Sequence, residues 1–295
     1  MLRWRIPLGA LLIIVLVGLC WLDHSANIPG VWLVPVALLL AVMAGAEVVY
    51  LSAAGRMRPL SWVIHVSNVL IVASAWIPVA WLGYESRYNI GGLGWPMLAL
   101  TLGVMLAFLG EMARYKKPGG ATANLAMAIF GMVYVGVMLA FVVQLRLVFG
   151  VAALASLVIV VKLGDIGAYA AGSLFGRHKM ATILSPGKTI EGAAGAVLFA
   201  TIGAWATFKW LVPWLAVTSP SDATGSCYGW LIFGLLVAIA GIFGDLAESL
   251  IKRDFGCKDS SRWIPGFGGV MDILDSVLLA APVAYLCWSL LLAGN

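Results

Sequence analysis

Acidic residues near the carboxyl end of the chain recur at intervals that place them on one face of a helix. The two sets follow the spacings i, i+3, i+4, i+7 and i, i+3, i+4: Asp245, Glu248, Ser249 and Lys252, then Asp272, Asp275 and Ser276. Carboxylates and hydroxyls that converge without cysteine or histidine suit a hard cation such as Mg²⁺, which prefers oxygen ligands and substrate phosphates. We therefore expect two acidic helix faces to form a magnesium-dependent site.

Basic residues accompany these acids, as a phosphate-bearing substrate requires. A loop joins the two acidic faces, carries Lys258 and Arg262, and ends in a flexible glycine-rich stretch. A second segment, Ser185 to Gly192, places Lys188 at the expected start of a helix, where backbone N–H groups and the helix dipole attract phosphate. Its spacing is not that of a Walker A loop, so it predicts an anion-binding turn and no more.

The composition excludes a soluble protein. Of the 295 residues, 62% are hydrophobic and only 11% are charged, and the mean hydropathy is +1.02. A soluble domain carries about twice that fraction of charge. The apolar residues fall into repeated runs of about 20, the length that crosses the hydrocarbon core of a bilayer. We predict an all-α, polytopic integral membrane protein whose site lies at the cytoplasmic ends of the carboxyl-terminal helices.

About nine transmembrane helices are expected when breaks are placed at charges, glycine and proline. They are Pro7 to Trp21, Val31 to Ala53, Trp62 to Leu82, Leu93 to Met112, Ala123 to Leu145, Phe149 to Leu174, Thr189 to Leu211, Gly229 to Ile251 and Val270 to Leu292. Only Arg146 and two apolar residues separate the fifth from the sixth, and Gly150 follows closely, so one bent element and a tight hairpin are both open. We assign residues 1–148 to packing and lipid contact, and residues 149–295 to the catalytic region.

The basic residues favour a cytoplasmic amino terminus, because Lys and Arg are retained on the cytoplasmic side of short loops. In that orientation most of the 18 Lys and Arg residues lie inside, and Arg87, Arg146 and Lys209 lie outside. The net charge of +5 is then a charge of the cytoplasmic face, suited to anionic headgroups or a soluble nucleotide. We expect a bacterial-type inner membrane and no nucleic-acid partner.

Ionisable residues within apolar runs are concentrated in the second half of the chain. Besides the acids above, Lys162, Asp165 and Glu191 lie within or beside such runs. An ionisable group at mid-bilayer costs at least about 2.5 kcal/mol, so several together indicate a functional site. Asp165 and Tyr169 are one helical turn apart and would face the same cavity. The first half has sparse polar content, chiefly Glu47, His65, Asn68 and Glu111.

One longer stretch is far more specific than these patterns. It comprises Ser249 to Arg253, Lys258 with Asp259, and Pro265 to Ser276. This segment, residues 249–276, resembles the signature of the phosphatidate cytidylyltransferase family, the CDP-diacylglycerol synthases. Three further segments are similar to other parts of the sequences of that family: Gly244 to Glu248, Asp165 to Tyr169 and Ser185 to Gly192. Phe267 and Ile273 depart from the signature, which has His and Arg at these positions.

The resemblance implies an enzyme that converts CTP and phosphatidic acid to CDP-diacylglycerol and pyrophosphate and that requires Mg²⁺. On this sequence it implies that Asp245 and Asp272 bind the metal, with Asp275 and Glu248 as further ligands or supporting groups. The catalytic residues would be Asp245, Lys252, Asp272 and Asp275. Contacts with substrate are assigned to Lys188, Ser249, Arg253, Lys258, Asp165 and Ser276.

Other interpretations stay open. A carboxylate near Lys252 would instead be a buried ion pair, an alternative with more weight for Glu248 than for Asp272. Because of Phe267 and Ile273, the chain could be an inactive relative or act on another lipid phosphate. A cation- or proton-coupled transporter is the alternative from a different class. The expected partners are CTP, phosphatidic acid and membrane lipids, and the oligomeric state is open, a homodimer included.

Overall fold

The protein is seen in a computed structural model that describes residues 2–81, 91–215, 228–261, 263–264 and 268–292. These residues are helical apart from loops and one short hairpin, which confirms the all-α fold class. The helices are α1 (Leu2–His24), α2 (Leu33–Ala54), α3 (Ser61–Trp81), α4 (Gly94–Arg114), α5 (Ala121–Gly131), α6 (Met138–Phe149), α7 (Val151–Phe175), α8 (Ile190–Ala206), α9 (Val212–Leu215), α10 (Gly229–Asp254) and α11 (Met271–Cys287). Three π-helical segments continue or join them: Met132–Val137, Thr207–Leu211 and Trp288–Leu292.

Among the described residues, eight helical stretches are long and apolar enough to cross a membrane, and α3 is a further apolar helix. The polytopic architecture predicted from the apolar runs is therefore confirmed. The junction that the sequence left open is a break between two helices: α6 ends at Phe149 and α7 begins at Val151. Gly150 between them has a φ of 87°, a conformation that glycine adopts without steric cost.

Helix α4 illustrates how a membrane helix divides its faces. Its buried residues are mostly small, whereas large apolar residues are exposed on the other side: Pro96, Ala99, Gly103, Ala107 and Glu111 against Leu98, Leu102, Met105 and Leu109. Between helices in lipid, small residues are favoured because they let the backbones approach. A Cβ on Gly103 would lie 2.6 Å from Oγ of Ser67 in α3, so this contact requires glycine.

The chain folds into two compact units, and neither is a continuous segment. The first unit comprises residues 1–147 and 252–273, and the second comprises residues 148–251 and 274–295. The signature segment 249–276 is thus divided, because the chain changes unit within α10 and again within α11. The functional division predicted from the sequence, with packing helices in residues 1–148 and the catalytic region in residues 149–295, stays a prediction.

In the first unit a buried ion pair fixes the connection between α1 and α2. Oδ2 of Asp23 lies 2.6 Å from Nε of Arg146 in α6 and also accepts a hydrogen bond from N of Gly30 at 3.1 Å. Oδ1 of Asp23 accepts from N of Trp32 at 3.0 Å. Asp23 is fully buried, so its charge requires these partners. Arg146, which interrupts an apolar run in the sequence, therefore has a structural partner.

In the second unit α7 and α8 pack closely through glycine. A Cβ on Gly167 would lie 2.5 Å from the carbonyl oxygen of Gly195, and a Cβ on Gly195 would lie 2.6 Å from that of Gly167. The two backbones therefore touch at this point, as small residues allow. This contact fixes the start of α8 and the chain that precedes it.

That preceding chain is a β-hairpin, which the sequence did not predict. Strands β1 (Lys179–Ala181) and β2 (Ser185–Thr189) pair antiparallel. Strand β1 has only three residues, and the sequence of β2, Ser-Pro-Gly-Lys-Thr, shows no alternation of apolar and polar residues. Thr189 ends the hairpin and caps α8, because its Oγ1 accepts a hydrogen bond from N of Gly192 at 3.1 Å. The helix thus starts one residue later than expected.

Candidate functional site

Three carboxylates from two helices meet in the second unit. Asp245 and Glu248 lie one turn apart on α10, and Asp275 lies on α11. One carboxylate oxygen of each lies within 4.8 Å of the other two. Glu248 is almost fully buried, with 1% of its surface exposed. The structure thus brings together three of the four acids that the sequence assigns to a metal.

Lys188 adds a positive charge to this carboxylate cluster. It lies in β2, and its Nζ is 2.7 Å from Oδ2 of Asp245. The three carboxyl groups outnumber the single ammonium group, and a divalent cation would balance this excess of acidic groups. All three acids offer oxygen atoms, the donors that Mg²⁺ prefers. The charge and the donor set of Asp245, Glu248 and Asp275 therefore fit Mg²⁺.

Close packing of α10 against α11 positions the carboxylate cluster. Gly244, the residue before Asp245, faces the backbone of α11, where its Cβ would lie 2.6 Å from the carbonyl oxygen of Asp275. Ser276 is buried, and its Cα would lie 3.1 Å from the same Cβ. Backbone atoms cannot swing aside as side chains do, so only glycine permits this approach.

We expect Gly244→Ala to lower turnover by about 100-fold, because a misplacement of about 1 Å at a reacting site has that effect. Gly241→Ala is the matched control. One turn earlier on α10, its Cβ would lie 3.8 Å from Cβ of Ser276, an ordinary contact. Steady-state rates of both purified variants check the prediction. Equal rates for the two variants would contradict the role of the close approach.

Asp272, the fourth acid, lies in the first unit and is engaged by several donors. Its Oδ1 accepts from Nζ of Lys252 at 2.5 Å. Its Oδ2 accepts from N of Ser260 at 3.1 Å, from N of Gly269 at 2.7 Å and from Oγ of Ser260 at 2.7 Å. The side chains of Lys252 and Asp272 are only 13% and 10% exposed. The structure therefore pairs Lys252 with Asp272, the acid for which the sequence favours a buried ion pair less than for Glu248.

Gly268 and Gly269, which precede α11, are required for this arrangement. Gly268 has a φ of 95°, and its Cβ would lie 2.5 Å from Oδ2 of Asp272. A Cβ on Gly269 would lie 2.0 Å from Oγ of Ser260 and 2.5 Å from both carboxylate oxygens of Glu47 in α2. The sequence predicts that the glycine-rich end of the loop is flexible. The structure instead explains Gly268 by its positive φ and both glycines by their close contact with carboxylates.

The other residues assigned to the substrate are more dispersed. Arg253 donates from Nη1 to the carbonyl oxygen of Cys257 at 3.2 Å, and Lys258 is exposed in the loop that follows. Ser249 is half-buried on α10. The backbone N–H of Ser276 donates to Oδ1 of Asp275 at 2.5 Å, so Ser276 adjoins the carboxylate cluster.

Asp165 and Tyr169 lie on an exposed face of α7. Oδ2 of Asp165 is 2.9 Å from Nζ of Lys162, and Tyr169 is 80% exposed. Lys162 and Asp165 are close enough to Asp275 to act on its carboxylate electrostatically. Two further positions of the sequence analysis, Arg262 and Phe267, lie outside the described residues.

Glu47 and Ser260 were not assigned to the site by the sequence. Both are fully buried, and Oγ of Ser260 lies 2.8 Å from Oε2 of Glu47. An acid inside an apolar run indicates a functional residue, and Glu47 could have been noticed on that ground. Its partner is 213 residues away, however, and one sequence gives no means of pairing them.

Comparison with known proteins decides the family of this chain. A family model described as "Cytidylyltransferase family" matches residues 3–291. The chain belongs to the cytidylyltransferase family. This result confirms the resemblance seen in residues 249–276 and extends it over nearly the whole chain. The protein is therefore a nucleotidyltransferase, and a transporter gains no support.

Several curated proteins are similar to this cytidylyltransferase. The phosphatidate cytidylyltransferase of Mycobacterium bovis is 29% identical over 294 residues, which cover 96% of this chain and 88% of that protein. The phosphatidate cytidylyltransferase of Synechocystis sp. is 40% identical over 125 residues, covering 41% of this chain and 38% of that protein. That of Helicobacter pylori is 39% identical over 134 residues, covering 45% and 46%. Similarity therefore covers nearly all of this cytidylyltransferase in the first case and under half of it in the other two.

Proposed function

We propose that this cytidylyltransferase transfers the cytidylyl group of CTP to phosphatidic acid, in the synthesis of phospholipids. A phosphate oxygen of the lipid forms a bond to the α-phosphorus of CTP, and the bond from the α-phosphorus to the oxygen that bridges to the β-phosphate breaks. The products are CDP-diacylglycerol and pyrophosphate. The observation that carries the proposal is the carboxylate cluster beside Lys188 in a chain of this family. The name of the Mycobacterium bovis relative, phosphatidate cytidylyltransferase, supports the choice of lipid.

The proposed reaction requires no general base from the protein. A phosphate monoester has a second pKa near 6 and is largely dianionic at neutral pH, so the lipid phosphate can attack directly. The protein must instead offset the repulsion between two anions, hold them in line and stabilise the charge on the leaving pyrophosphate. The carboxylates would hold a metal ion for these tasks, and basic side chains would share them.

Asp245, Glu248 and Asp275 would hold Mg²⁺. When bound, the ion would neutralise phosphate charge and favour departure of pyrophosphate. Lys188, within reach of Asp245, would bind a phosphate oxygen as a point charge. For Asp272 the sequence indicates a metal ligand, but the hydrogen bonds to both of its oxygens favour a role in orienting Lys252.

The remaining basic and hydroxyl residues would contact the substrates. Arg253 and Lys258 lie at and after the end of α10, where they would bind nucleotide or lipid phosphate. Ser276, beside Asp275, would orient a phosphate oxygen. Asp165, which interacts electrostatically with Asp275, has the same proposed role. Ser249 shares this role because it follows Glu248 on α10.

The membrane location follows from the substrates and the charges. Phosphatidic acid presents its phosphate at headgroup depth, and CTP is a soluble nucleotide, so the site must admit both. The excess of Lys and Arg in alternate loops favours a cytoplasmic amino terminus, with the protein in the inner, or plasma, membrane.

The test is an assay of the detergent-purified protein with labelled CTP, phosphatidic acid and Mg²⁺. We expect labelled liponucleotide and pyrophosphate in equal amounts, and no product after addition of EDTA. Polyprenyl phosphate and an ether-lipid phosphate are supplied in parallel. Product from one of these lipids but not from phosphatidic acid would show that the lipid acceptor is a different lipid phosphate. Folded protein that forms no product with any acceptor would contradict the proposed function.

A further inference from the structure

A buried carboxylate of α2 lies at the amino terminus of α11. Glu47 has no exposed surface and accepts four hydrogen bonds. Two come from the backbone N–H groups of Val270, at 2.7 Å to Oε1, and Met271, at 2.8 Å to Oε2. The first N–H groups of a helix lack partners within the helix, and the helix dipole makes this end positive. Glu47 thus caps a helix that lies far from it in the sequence.

The other two hydrogen bonds tie the preceding loop to the same carboxylate. Oγ of Ser260 donates to Oε2 of Glu47 and Oγ of Ser261 donates to Oε1, each at 2.8 Å. Each carboxylate oxygen therefore holds one serine hydroxyl and one helix N–H group. Gly269 packs against Glu47 so closely that a Cβ would not fit. The Glu47 carboxylate therefore links the loop residues Ser260 and Ser261 to the start of α11.

Ser260 connects Glu47 directly to Asp272. Its hydroxyl oxygen lies 2.8 Å from Oε2 of Glu47 and 2.7 Å from Oδ2 of Asp272. A serine hydroxyl has one proton, and an ionised carboxylate only accepts, so the hydroxyl donates to one of the two acids at a time. A change in what Asp272 binds therefore alters what Ser260 offers to Glu47.

We propose that Glu47 is a positioning residue of this enzyme: its buried carboxylate holds residues 260–271 in the conformation that places Asp272 against Lys252. The inference rests on the proposed function for its effect on turnover. It assigns Glu47 no contact with substrate. The residue acts through Ser260 and the start of α11.

The first test compares Glu47→Gln with Glu111→Gln. Glu111 is a matched control because it is a buried acid of the same unit, lies on α4 and pairs with Arg114. Loss of hydrogen bonds to a charged acceptor predicts that Glu47→Gln lowers kcat by about 10- to 100-fold per mole of folded protein. Glu111→Gln is expected to stay within about twofold of the wild type. Equal kcat for Glu47→Gln and the wild type would overturn the inference.

The second test does not depend on the reaction. In a variant that keeps Cys257 and replaces the other three cysteines, the rate of alkylation of Cys257 measures how firmly the chain before Ser260 is held. We expect Glu47→Gln to raise this rate by about tenfold, in proportion to the loss of one charged hydrogen bond. A general loss of stability would raise it equally in Glu111→Gln. An unchanged rate in Glu47→Gln would overturn the positioning role.

Two smaller changes keep the inference testable if Glu47→Gln does not fold. Ser261→Ala removes one donor to Glu47, and we expect a decrease in kcat of about threefold to tenfold with faster alkylation of Cys257. Glu47→Asp keeps the charge and is expected to retain more activity than Glu47→Gln. Normal kcat and alkylation in Ser261→Ala would overturn the inference. Wild-type protein without turnover would contradict the proposed function instead, and the alkylation rates would then decide on Glu47.

Discussion

Asp275→Asn is expected to lower magnesium-dependent turnover by about 100- to 1,000-fold, the range seen when one electrostatic contact to a transition state is removed. Asp275 supplies one of the three carboxylates that lie within 4.8 Å of each other. Asparagine keeps the size of the side chain but removes its charge, so the cluster would bind Mg²⁺ less tightly. The measurement is kcat as a function of Mg²⁺ concentration, and the half-saturating concentration should rise.

Asp254→Asn is the control for this variant. Asp254 is an exposed acid at the end of α10 and lies outside the carboxylate cluster. We expect it to leave the magnesium dependence as in the wild type. If Asp275→Asn showed normal turnover at low Mg²⁺, the assignment of the metal to this cluster would be wrong.

Asp272→Asn is expected to abolish turnover and also to destabilise the protein. Removing one partner of a buried ion pair costs about 3–5 kcal/mol, since the other charge stays buried without its counter-charge. Both side chains of the Lys252–Asp272 pair are largely buried. The measurements are the rate of liponucleotide formation and the thermal midpoint in detergent, compared with the wild type.

The double variant Lys252→Met with Asp272→Leu separates the two effects. Replacing both charges with apolar groups of similar size removes the cost of burying either one. We expect the thermal midpoint to recover only in part, because Asp272→Leu also removes the acceptor of the Ser260 and Gly269 N–H groups, while turnover stays absent. Recovery of turnover in the double variant would show that the pair is structural only.

The helices were predictable because a membrane span depends on composition over a long window. The run predicted from Val31 to Ala53 forms Leu33–Ala54, and that predicted from Gly229 to Ile251 forms Gly229–Asp254. The ends were less accurate: Leu33 lies two residues after the expected start and Asp254 three residues after the expected end, and α8 starts one residue late because Thr189 is its cap. The break at Gly150 was predictable only as a weak point, because a φ of 87° cannot be inferred from glycine alone.

The candidate site was predictable as far as local spacing reaches. Asp245, Glu248 and Asp275 follow from helical periodicity together with the family signature. The contact between Lys252 and Asp272 did not follow, because the turn before α11 that brings the two side chains to 2.5 Å cannot be inferred from spacing along α10. The hydrogen bonds of Glu47 could not be predicted for a related reason. They join α2 to a loop more than 200 residues away, and helical periodicity says nothing about contacts between such distant segments.

The divided first unit has a consequence for biosynthesis. Helix α2 leaves the ribosome long before its hydrogen-bond donors exist, since Glu47 and Ser260 are 213 residues apart. At about 5 to 20 residues per second, this acid spends roughly 10 to 40 s in the bilayer before residues 260–271 are made. The first unit therefore cannot mature in the order of synthesis. The first unit finishes folding only when residues 260–271 are made. A nascent protein that stalls before residue 260 would therefore leave the Glu47 carboxylate without these hydrogen-bond donors and open to recognition by quality-control proteases.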